Sequence, residues 1–585
     1  MAPSGHRPSA CQRSPEQVLG AGRVRYFIGT ELFALLRRHT AVAARVFFRP
    51  VGCAGPDSLQ RTQVGRPHAS GGRRHHRSPA RYRGWRAEHA RGLGGCSAAC
   101  AFASVRRRPS SLECRAKEIR GGLKMAEDAN SKLPLVFYGD DFTGSTDALE
   151  VLTGAGLKCA LFLQPPSSQL IAELGGFDAI GIAGDSRAMS NAEMDDALPA
   201  VFHAIKQLSP SVVHYKVCST FDSAPSVGSI GHVIGLASAI FDVTGIPIIA
   251  GNPKLGRYCA FGNLFALSKT DHQVHRIDRH PIMRAHPITP MQEADLSVHI
   301  GQQANLDIAK VTIRHIEETE DLAALAREVG REHDAVLFDG VTDEHLTAAG
   351  RALTELAIGS TSVFVVGSSG VEYGLTQHWH AGGRTCNHQA QVAPLHPVAQ
   401  VLVVSGSASP LSQAQIDTAL ADGFVELPVD TTGLISDARR GAILQELVTA
   451  ALAYLAAGKS VVMHTAKGTA DPRIEQMIEA MVAEGLNRDN ARTYGGKRLA
   501  FELGHVVLAI LEAYPLKRLV ISGGDTSSQI TKVLNPDALV IKSYLSPGAP
   551  LCQMHSEKPY LKSLEIALKG GQMGDRDYFV RALRG

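Results

Sequence analysis

The chain has 585 residues and a formal net charge of +4, but this small value combines two very different parts. Residues 1–124 hold 24 basic and six acidic side chains, a net charge of +18, whereas residues 125–585 hold 36 basic and 50 acidic ones, a net charge of −14. The acidic part gives no support to a nucleic-acid-binding protein, because phosphate backbones are bound by basic surfaces. No long uncharged apolar run indicates a membrane-spanning helix.

The first 124 residues are rich in arginine and show no sustained apolar period. Such a composition cannot bury enough apolar surface to offset the entropy that is lost on ordering. A nucleic-acid-binding arm and a transit peptide are two interpretations of this segment. We favour a third, in which residues 1–124 are an over-extended start outside the functional fold and the protein begins at Met125. Peptides from the natural protein upstream of Met125 would contradict it.

Five cysteines follow Met125, without a CxxC pair or a Cys/His cluster among them. Neither a zinc site nor a disulfide framework is therefore predicted, and no metal-ligating residue is assigned. The sequence also lacks a secretory apolar region, so that a cytoplasmic protein is expected.

Short apolar runs alternate with helical periods through the rest of the chain. In the first half, strands are predicted at LPLVFYG, LKCALFL, FDAIGIAG, SVVHYKV and IPIIAGNP, with helical segments such as TDALEVLTGAG and NAEMDDALPAVFHAIKQL between them. In the second half, strands are predicted at VLVVSGSASP, SVVMHTAKG, RLVISGGDTS and ALVIKSYLSPG. Continuously apolar strands that alternate with helices are typical of parallel sheets covered on both faces.

A polar segment rich in glycine and proline, HAGGRTCNHQAQVAPLHPVAQ, separates the two halves and is interpreted as a linker. The predicted fold is therefore α/β, with two doubly wound domains whose largely parallel sheets face an inter-domain cleft. We place the first domain at 125–390 and the second at 398–585.

The motif GDDFTGSTD lies between the first strand and the first helix. Asp140 and Asp141 are two carboxylates at the end of a buried strand, which is costly unless they bind something. One aspartate could simply cap the helix, but two adjacent ones together with Thr143 exceed what a cap needs. We expect them to accept hydrogen bonds from a hydroxyl-rich ligand or to hold a metal.

Other predicted strands of the first domain are also followed by polar side chains. These are Asp185, Arg187, Lys216, Thr220, Asp222 and Asn252. An arginine matches a carboxylate with two parallel hydrogen bonds. Collected at strand ends, these residues predict a site for a small polyhydroxylated acid.

The second domain has small-residue turns between a strand and a helix. They contain Ser405, Gly406, Ser407 and Ser409 in the first, Gly523, Gly524, Asp525 and Thr526 in the second, and Gly570 and Gly571 in the third. Glycine lets the backbone approach an anion, and the first amides of a helix point toward it. There is neither a Walker A loop nor a GxGxxG motif, which disfavours a dehydrogenase. Each turn alone is commonly structural, but two or three together favour phosphate binding.

Taken in order, the motifs GDDFTGSTD, YKVCSTFDS, HPITPM, VGSSGVEYGL, VVSGSASP, SGGDTS, PGAPL and LKGGQMG resemble those of the four-carbon acid sugar kinase family. The likeness extends from Leu133 to Gly585 and does not cover residues 1–124. It implies an enzyme that uses ATP to phosphorylate threonate, erythronate or 3-oxo-tetronate, at the terminal 4-hydroxyl. It also implies that the first domain holds the sugar acid and the second the nucleotide.

The predicted roles follow from the turns, the strand ends and this resemblance. The nucleotide-binding residues are Ser405, Ser407, Gly523, Gly524, Asp525, Thr526, Gly570 and Gly571. The substrate-binding residues are Asp140, Asp141, Thr143, Arg187, Lys216, Asp222 and Asn252. Phosphoryl transfer depends on positioning and charge neutralisation. Lys216 would neutralise the phosphoryl group, and Asp222 or one of the paired aspartates, with Asp141 as the preferred one, would accept the hydroxyl proton.

The expected cofactors are ATP and Mg²⁺, with Asp525 as a candidate contact of the metal. The expected partners are the sugar acid and ATP. A homo-oligomer is a further expectation, and binding to nucleic acid or to a membrane is not expected. The alternative function is a sensor that binds sugar acids on a kinase-like fold without catalysis. Such a sensor would bind the acid without consuming ATP.

Overall fold

The computed structural model describes residues 132–268, 271–286, 289–360, 362–383 and 392–585. The interpretation of residues 1–124 as an over-extended start falls outside this range, and so does the middle of the predicted linker. We call residues 132–383 the amino lobe and residues 392–585 the carboxy lobe.

The amino lobe has eleven strands among its described residues. They are β1 (Leu135–Gly139), β2 (Cys159–Phe162), β3 (Ala179–Ala183), β4 (Val212–Lys216), β5 (Ile246–Ile249), β6 (Arg257–Ala260), β7 (Asn263–Leu267), β8 (Val274–Arg276), β9 (Ile308–Val311), β10 (Ala335–Phe338) and β11 (Val363–Gly367). Its helices are α1 (Phe142–Gly154), α2 (Ser168–Glu173), α3 (Asn191–Gln207), α4 (Ile230–Phe241), α5 (Leu296–Ala304), α6 (Ile313–Glu318), α7 (Leu322–Val329), α8 (Asp343–Leu356) and α9 (Gly370–Ala381).

The carboxy lobe continues the alternation of strands and helices. Its strands are β12 (Val401–Ser405), β13 (Val425–Pro428), β14 (Val461–His464), β15 (Arg518–Ser522), β16 (Ala538–Ser546), β17 (Ala549–His555) and β18 (Glu565–Lys569). Its helices are α10 (Pro410–Ala421), α11 (Thr431–Ile435), α12 (Arg440–Ala456), α13 (Pro472–Ala483), α14 (Arg488–Ala513), α15 (Gly524–Leu534) and α16 (Tyr578–Arg584). The predicted α/β class with largely parallel strands is confirmed.

One sheet of fifteen strands runs through both lobes, in the order β13-β14-β12-β15-β18-β17-β16-β2-β3-β1-β4-β11-β5-β10-β9. The eight amino-lobe strands from β2 to β9 are parallel, and so are the five carboxy-lobe strands from β13 to β18. The β16–β17 hairpin is antiparallel, and β16 joins the lobes by pairing Leu539 with Leu161. The two sheets expected from the sequence are thus continuous at one edge. A separate three-stranded antiparallel sheet is formed by β6, β7 and β8.

Alternate residues of the buried strands enter the cores on the two faces of the sheet. In β1, Leu135 and Phe137 pack on one face and Val136 and Tyr138 on the other, and all four are nearly inaccessible. This explains why β1 is apolar throughout, since a parallel strand with helices on both faces has no solvent-facing side. No helix in the described part of the chain is both long and apolar enough to cross a membrane.

A buried ion pair anchors the carboxy lobe. The Arg518 guanidinium lies 2.6 Å from the Glu565 carboxylate, and it also donates to the carbonyls of His396, at 2.9 Å, and of Ala582. Its side chain is only 2% exposed. Lys542 approaches the other oxygen of Glu565 at 2.7 Å. These contacts tie β15 and β18 to the last helix and to the segment before β12.

We expect Arg518→Ala to lower the free energy of unfolding by about 3 kcal/mol, because a buried carboxylate and two carbonyls lose their donor. Arg314→Ala is the control, since Arg314 and its partner Glu318 are both mostly exposed and such pairs contribute less than about 1 kcal/mol. Urea unfolding measures both variants. Equal shifts of the two midpoints would contradict a structural role for the buried pair.

Candidate active site between the two lobes

Five loops of the amino lobe meet at one edge of the sheet. The last residue of β1, Gly139, pairs in register with Ala183 of β3 and Lys216 of β4. Lys216 in turn pairs with Gly367 of β11, and Gly367 with Ile249 of β5. Because these parallel strands end at the same level, the loops that follow them lie side by side. The polar residues predicted at the strand ends belong to these loops.

Arg187 holds the two adjacent aspartates. Its Nε and Nη2 atoms donate to the two Asp140 oxygens, at 3.1 and 3.0 Å, and its Nη1 lies 3.0 Å from Asp141 Oδ2. The Asp140 side chain is only 6% exposed. Burial raises the pKa of the Asp140 carboxyl, and the charge of Arg187 opposes that rise. The predicted bidentate arginine contact is therefore made within the chain.

Asp141 also begins helix α1. Its Oδ1 accepts from the Gly144 amide at 2.7 Å, and its Oδ2 accepts from the Thr143 hydroxyl at 3.1 Å. Burial would raise the pKa of this carboxyl, but Arg187 and Lys216 hold it below its usual value. Of the two aspartates, Asp141 therefore serves as the helix cap that the sequence suggested for one of them.

Lys216 is a buried cation among these carboxylates. It is 4% exposed. Among the described residues its ammonium has neither a hydrogen-bond partner nor an ion pair within 4 Å. Burial would lower its pKa, but Asp147, Asp141 and Asp140 raise it above the usual value. Gly144 leaves room for this side chain, since a Cβ there would lie 2.3 Å from the ammonium nitrogen.

Asp222 and Asn252 lie in loops of the same edge, after β4 and β5. Asp222 is buried and accepts from the Thr220 hydroxyl at 2.5 Å, and its charge acts on Arg187. The Asn252 amide donates to the Ser369 hydroxyl at 3.1 Å. Its carbonyl oxygen, Oδ1, is buried without a hydrogen-bond partner in the described structure. A buried acceptor of this kind is costly unless a ligand satisfies it.

Two residues of this site were not selected from the sequence. Asp147 lies on α1, four residues after Thr143, and Ser369 lies at the start of α9. Burial raises the pKa of the Asp147 carboxyl, while Lys216 and a hydrogen bond from Ser369 oppose the rise. Both residues belong to motifs noted in the sequence, GDDFTGSTD and VGSSGVEYGL. The one-turn spacing from Thr143 was the available signal for Asp147.

The small-residue turns of the carboxy lobe also lie side by side. Ser405, Ser522 and Lys569, the last residues of β12, β15 and β18, pair with one another in register. Gly523 has φ +124°, a conformation that favours glycine. At Gly406, a Cβ would lie 2.0 Å from the Thr526 hydroxyl oxygen.

The remaining predicted nucleotide-binding residues surround this backbone. Gly571 faces Ser407, whose hydroxyl oxygen would lie 2.3 Å from a Cβ at that glycine, and Gly570 directly follows β18. Gly524 and Asp525 are exposed at the start of α15, and no described atom lies within 4 Å of a Cβ at Gly524. The Ser405 hydroxyl is buried without a hydrogen-bond partner in the described chain. The turns thus combine open backbone with a spare polar group, which suits phosphate oxygens.

Lys569 connects two of these turns and was missed in the sequence. Its ammonium donates to the Ser522 hydroxyl at 2.8 Å and to the Gly570 carbonyl at 3.0 Å. Ser409 adds a further link, since its hydroxyl donates to the Gly571 carbonyl at 2.6 Å. Lys569 is fully buried, and burial lowers its pKa to about 7. The apolar pattern of β18 gives no sign that its last residue is charged and enclosed.

A cavity of about 390 Å³ opens beside these turns. Its wall includes Gly406 and Thr526, and its other side is formed by α13 and α14 with Met477, Leu499 and Leu503. Binding sites for small molecules commonly span about 300–1,000 Å³ and combine apolar walls with a few polar groups. The volume of this cavity and the apolar side chains on one side of it agree with that description.

A second cavity, of about 640 Å³, lies between the lobes. We call it the inter-lobe cavity. Asp147, Lys254 and Tyr373 line it from the amino lobe, and Tyr544 and Met573 from the carboxy lobe.

Two polar contacts bridge the lobes, and the first of them lies at this cavity. The Gly548 amide donates to Glu150 at 2.8 Å, and Lys532 lies 2.5 Å from Asp185. Burial raises the pKa of Glu150 to about 7, and Asp147 adds to this rise while the Gly548 amide opposes it. These contacts join α1 and the loop after β3 to the β16–β17 turn and to α15.

The described residues contain no cluster of three or more His, Cys, Asp or Glu side chains that could hold a metal ion. The described part of the chain therefore has no preassembled metal cage. Mg²⁺ that arrives with a nucleotide needs only one or two protein carboxylates, because phosphates and water supply most of its ligands.

Comparisons with known proteins distinguish the same two lobes. Residues 135–375 match the family model of a sugar-binding N-terminal domain, and residues 402–579 match that of a nucleotide-binding C-terminal domain. The chain is 38% identical over 447 residues to a 3-oxo-isoapionate kinase of Paraburkholderia graminis, an alignment that covers 76% of this chain and 93% of the relative. It belongs to the four-carbon acid sugar kinase family. The family inferred from the motifs is confirmed.

A more distant relative and two solved structures cover the same region. A 3-oxo-tetronate kinase of Pseudomonas fluorescens is 26% identical over 460 residues, covering 78% of this chain and 97% of the relative. A solved structure from Salmonella typhimurium LT2 superposes with a TM-score of 0.61 at 23% identity and covers 77% of this chain and 99% of its own. A Haemophilus influenzae protein superposes with a TM-score of 0.55 at 20% identity, covering 76% and 98%. These two structures support the fold.

Replacing Arg187 by methionine removes the cation that Asp140 and Asp141 share. We expect the free energy of unfolding to fall by about 3 kcal/mol at neutral pH. Arg187 holds the pKa of Asp141 down. The stabilisation of the fold by this pair is therefore present above the unfolded-state pKa of an aspartate, about 4, and is lost as the pH falls through the lower pKa of Asp141 in the folded chain. In the variant both carboxyls lack this cation and take up protons at higher pH. The difference from the parent should therefore shrink between pH 7.5 and pH 4.5.

Urea unfolding at these two pH values measures the effect. Arg488→Met is the control, because Arg488 pairs with Glu475 at an exposed position. A stability loss for Arg187→Met that is the same at both pH values would contradict the electrostatic origin.

Proposed function

We propose that this protein is an ATP-dependent kinase that transfers the γ-phosphoryl group to a hydroxyl of a small sugar acid, the terminal 4-hydroxyl in a four-carbon acceptor. The amino lobe would hold the acid and the carboxy lobe the nucleotide. This proposal rests on the family of the chain and on the two sets of strand-end loops that face a common region.

The observation that carries the proposal is the environment of Lys216. A buried ammonium without a hydrogen-bond partner among the described residues is unfavourable, and an anionic ligand would satisfy it. Lys216 lies at the end of β4, where the amino-lobe loops meet. There it would bind the acid or neutralise the charge of the transferring phosphoryl group, which is how kinases use a positioned lysine.

The carboxy lobe offers the complementary features for ATP. Amides at the start of α15 and the turns after β12 and β18 would bind the phosphates, with Ser405, Ser407, Gly523–Thr526 and Gly570–Gly571 as the contacts. The 390 Å³ cavity next to them would receive the adenine ring. Mg²⁺ would supply charge neutralisation to the phosphate oxygens when bound, and Asp525 is the carboxylate nearest the predicted phosphate turn in sequence.

The position between two lobes suits this chemistry. Phosphoryl transfer from ATP to water competes with transfer to the acceptor, and a site enclosed from both sides excludes water. The inter-lobe cavity lies at the boundary of the two half-sites, where closure of the lobes would exclude water. Contacts such as that of Glu150 with Gly548 would stabilise the arrangement in which the two half-sites are close.

For the acceptor we propose a 3-oxo sugar acid as the first choice. The relatives described above are named for 3-oxo-isoapionate and 3-oxo-tetronate, which share the carboxylate and the 3-oxo group. A carbonyl in place of one hydroxyl changes which hydrogen-bond donors the site must supply, and such differences are discriminated strongly when the protein groups are buried. Threonate and erythronate, which carry a hydroxyl at that position, are the natural comparison compounds.

An ADP-release assay on the full chain tests the function. It uses ATP and Mg²⁺ with 3-oxo-isoapionate, the 3-oxo-tetronates and the D- and L-forms of threonate and erythronate. We expect turnover with a 3-oxo acid and at least tenfold less with the corresponding hydroxy acid. Calorimetric binding of an acid without ADP release would instead support the sensor.

Replacement of Lys216 by methionine should reduce kcat/KM by about 10²- to 10³-fold, because one charged group that stabilises the transferring phosphoryl group is lost. Lys206→Met is the matched control: Lys206 lies on α3 and donates to the Ile240 carbonyl at 2.6 Å, away from the proposed site. Equal activity of the two variants would contradict the role of Lys216.

Lys569 should take up a proton when ATP binds. Its pKa is about 7 in the unliganded chain, and phosphates bound at the adjacent turns would favour the charged ammonium. We therefore expect uptake of about half a proton at pH 7. Calorimetry with Mg-ATP in buffers of different ionisation enthalpy measures this number.

The corresponding variant is Lys569→Met, which should abolish the uptake, whereas Lys562→Met at an exposed position should retain it. Retention of the full uptake in Lys569→Met would show that another group takes up the proton.

A further inference from the structure

A kinase of this kind needs a group that accepts the proton of the attacking hydroxyl. Four carboxylates lie near Lys216 or Arg187 in the amino lobe, and two of them, Asp140 and Asp141, have both oxygens bound. Both oxygens of Asp140 bind Arg187, and those of Asp141 bind Arg187, the Gly144 amide and Thr143.

Asp222 has one oxygen bound. Its Oδ1 accepts the short hydrogen bond from Thr220, and the charge of this carboxylate acts on Arg187.

Asp147 differs from these three in its position. Of the four carboxylates, it alone is among the described residues that line the inter-lobe cavity. Side chains of the carboxy lobe, Tyr544 and Met573, line the same cavity. Asp147 also lies on α1, the helix that packs against carboxy-lobe elements including α15 and β17. It is therefore the carboxylate of the cluster that can face an acceptor and a nucleotide at the same time.

The surroundings of Asp147 fit a base that is held in place. Asn252 donates to the Ser369 hydroxyl, and Ser369 in turn favours the ionised form of the Asp147 carboxyl. The remaining acceptor of Asn252, Oδ1, is buried and lacks a partner in the described structure, so the same chain of groups has a free position for a ligand hydroxyl. Lys216 lies on the other side and favours the ionised form of Asp147.

We propose that Asp147, rather than Asp141 or Asp222, is the general base of the reaction, and this assignment rests on the proposed kinase function. The acceptor oxygen forms a bond to the γ-phosphorus of ATP, and the bond from that phosphorus to the oxygen that bridges to ADP breaks. The electron pair of the broken bond stays on ADP. The proton of the acceptor hydroxyl passes to an Asp147 carboxylate oxygen and is later released to solvent. Ser369 is a positioning residue in this scheme.

The assignment predicts a specific pH dependence. The base must be ionised, so kcat falls as the pH falls through the pKa of Asp147. Several charged or titratable groups act on this carboxylate from the elements around it, and their balance sets that pKa. They are Lys216 of β4, Glu372 and Tyr373 of α9, the helix cap Asp141, and Glu150 of α1, while Lys254 of the loop after β5 lines the same cavity.

Loss of the Ser369 hydroxyl should raise the pKa of Asp147, because its hydrogen bond favours the ionised form. The acid limb of the pH profile of Ser369→Ala should therefore move to higher pH, while kcat at high pH stays within about tenfold of the parent. A residue that only supported the fold would lower the whole profile without moving its limb.

The test compares the parent with Asp147→Asn, Asp147→Glu and Ser369→Ala in the ADP-release assay, using the full chain. For Asp147→Asn we expect kcat to fall by about 10²- to 10⁴-fold with ATP binding unchanged within threefold, as measured by calorimetry. Asp147→Glu should recover part of the activity. Asp195→Asn is the control, since Asp195 pairs with His232 at an exposed position on α3.

The outcomes separate this assignment from the proposed function. A parent that releases ADP with none of the acids overturns the kinase function and the assignment with it. A parent that turns over while Asp147→Asn keeps at least half its kcat overturns only the role of Asp147. If Asp147→Asn does not fold, the decision falls to Ser369→Ala, where an unmoved acid limb contradicts the assignment.

Discussion

The ion pairs of Arg187 with Asp140 and Asp141 are the constraint on which the amino-lobe site depends. They bring together the loops after β1 and β3, and they favour the ionised form of both carboxyls at the edge of the sheet. With these carboxylates satisfied, Lys216 remains as the cation without a direct partner in the described structure. Removing one member of a buried ion pair strongly destabilises the folded protein. The site is thus held in place by the same charges that leave one ammonium free for an anionic ligand.

Helix α1 connects this site to the rest of the molecule. Asp141 caps its first turn by accepting from the Gly144 amide, and Asp147 lies in its middle. Glu150, one turn later, accepts from the Gly548 amide of the carboxy lobe. Because the sheet is continuous through β2 and β16, α1 packs against elements of both lobes. A movement of one lobe relative to the other would therefore change the position of the proposed base. The proposed base and the contact of Glu150 with the carboxy lobe thus lie on the same helix.

The carboxy lobe uses a different physical solution. Its turns carry few charges, and a single buried lysine, Lys569, links the ends of β15 and β18 through Ser522 and the Gly570 carbonyl. In a low-dielectric interior such hydrogen bonds are strong when complete. A partly neutral lysine at this point stabilises the turns before ATP arrives and can gain a proton when phosphates bind. The amino lobe relies on compensated charges, and the carboxy lobe on a nearly neutral polar network.

The sequence by itself determined the α/β class, the main strands and the places where polar loops follow them, because apolar periodicity and glycine-rich turns are local properties. The motifs and their order along the chain determined the family. Only the tertiary structure decided which carboxylates are already bound, since Arg187 lies more than forty residues after Asp140 and Asp141 and their pairing depends on the neighbouring strands β1 and β3. The same holds for Asp147 and Lys569, whose environments are assembled by distant segments. Charge compensation and burial are properties of the folded chain, and no local pattern encodes them.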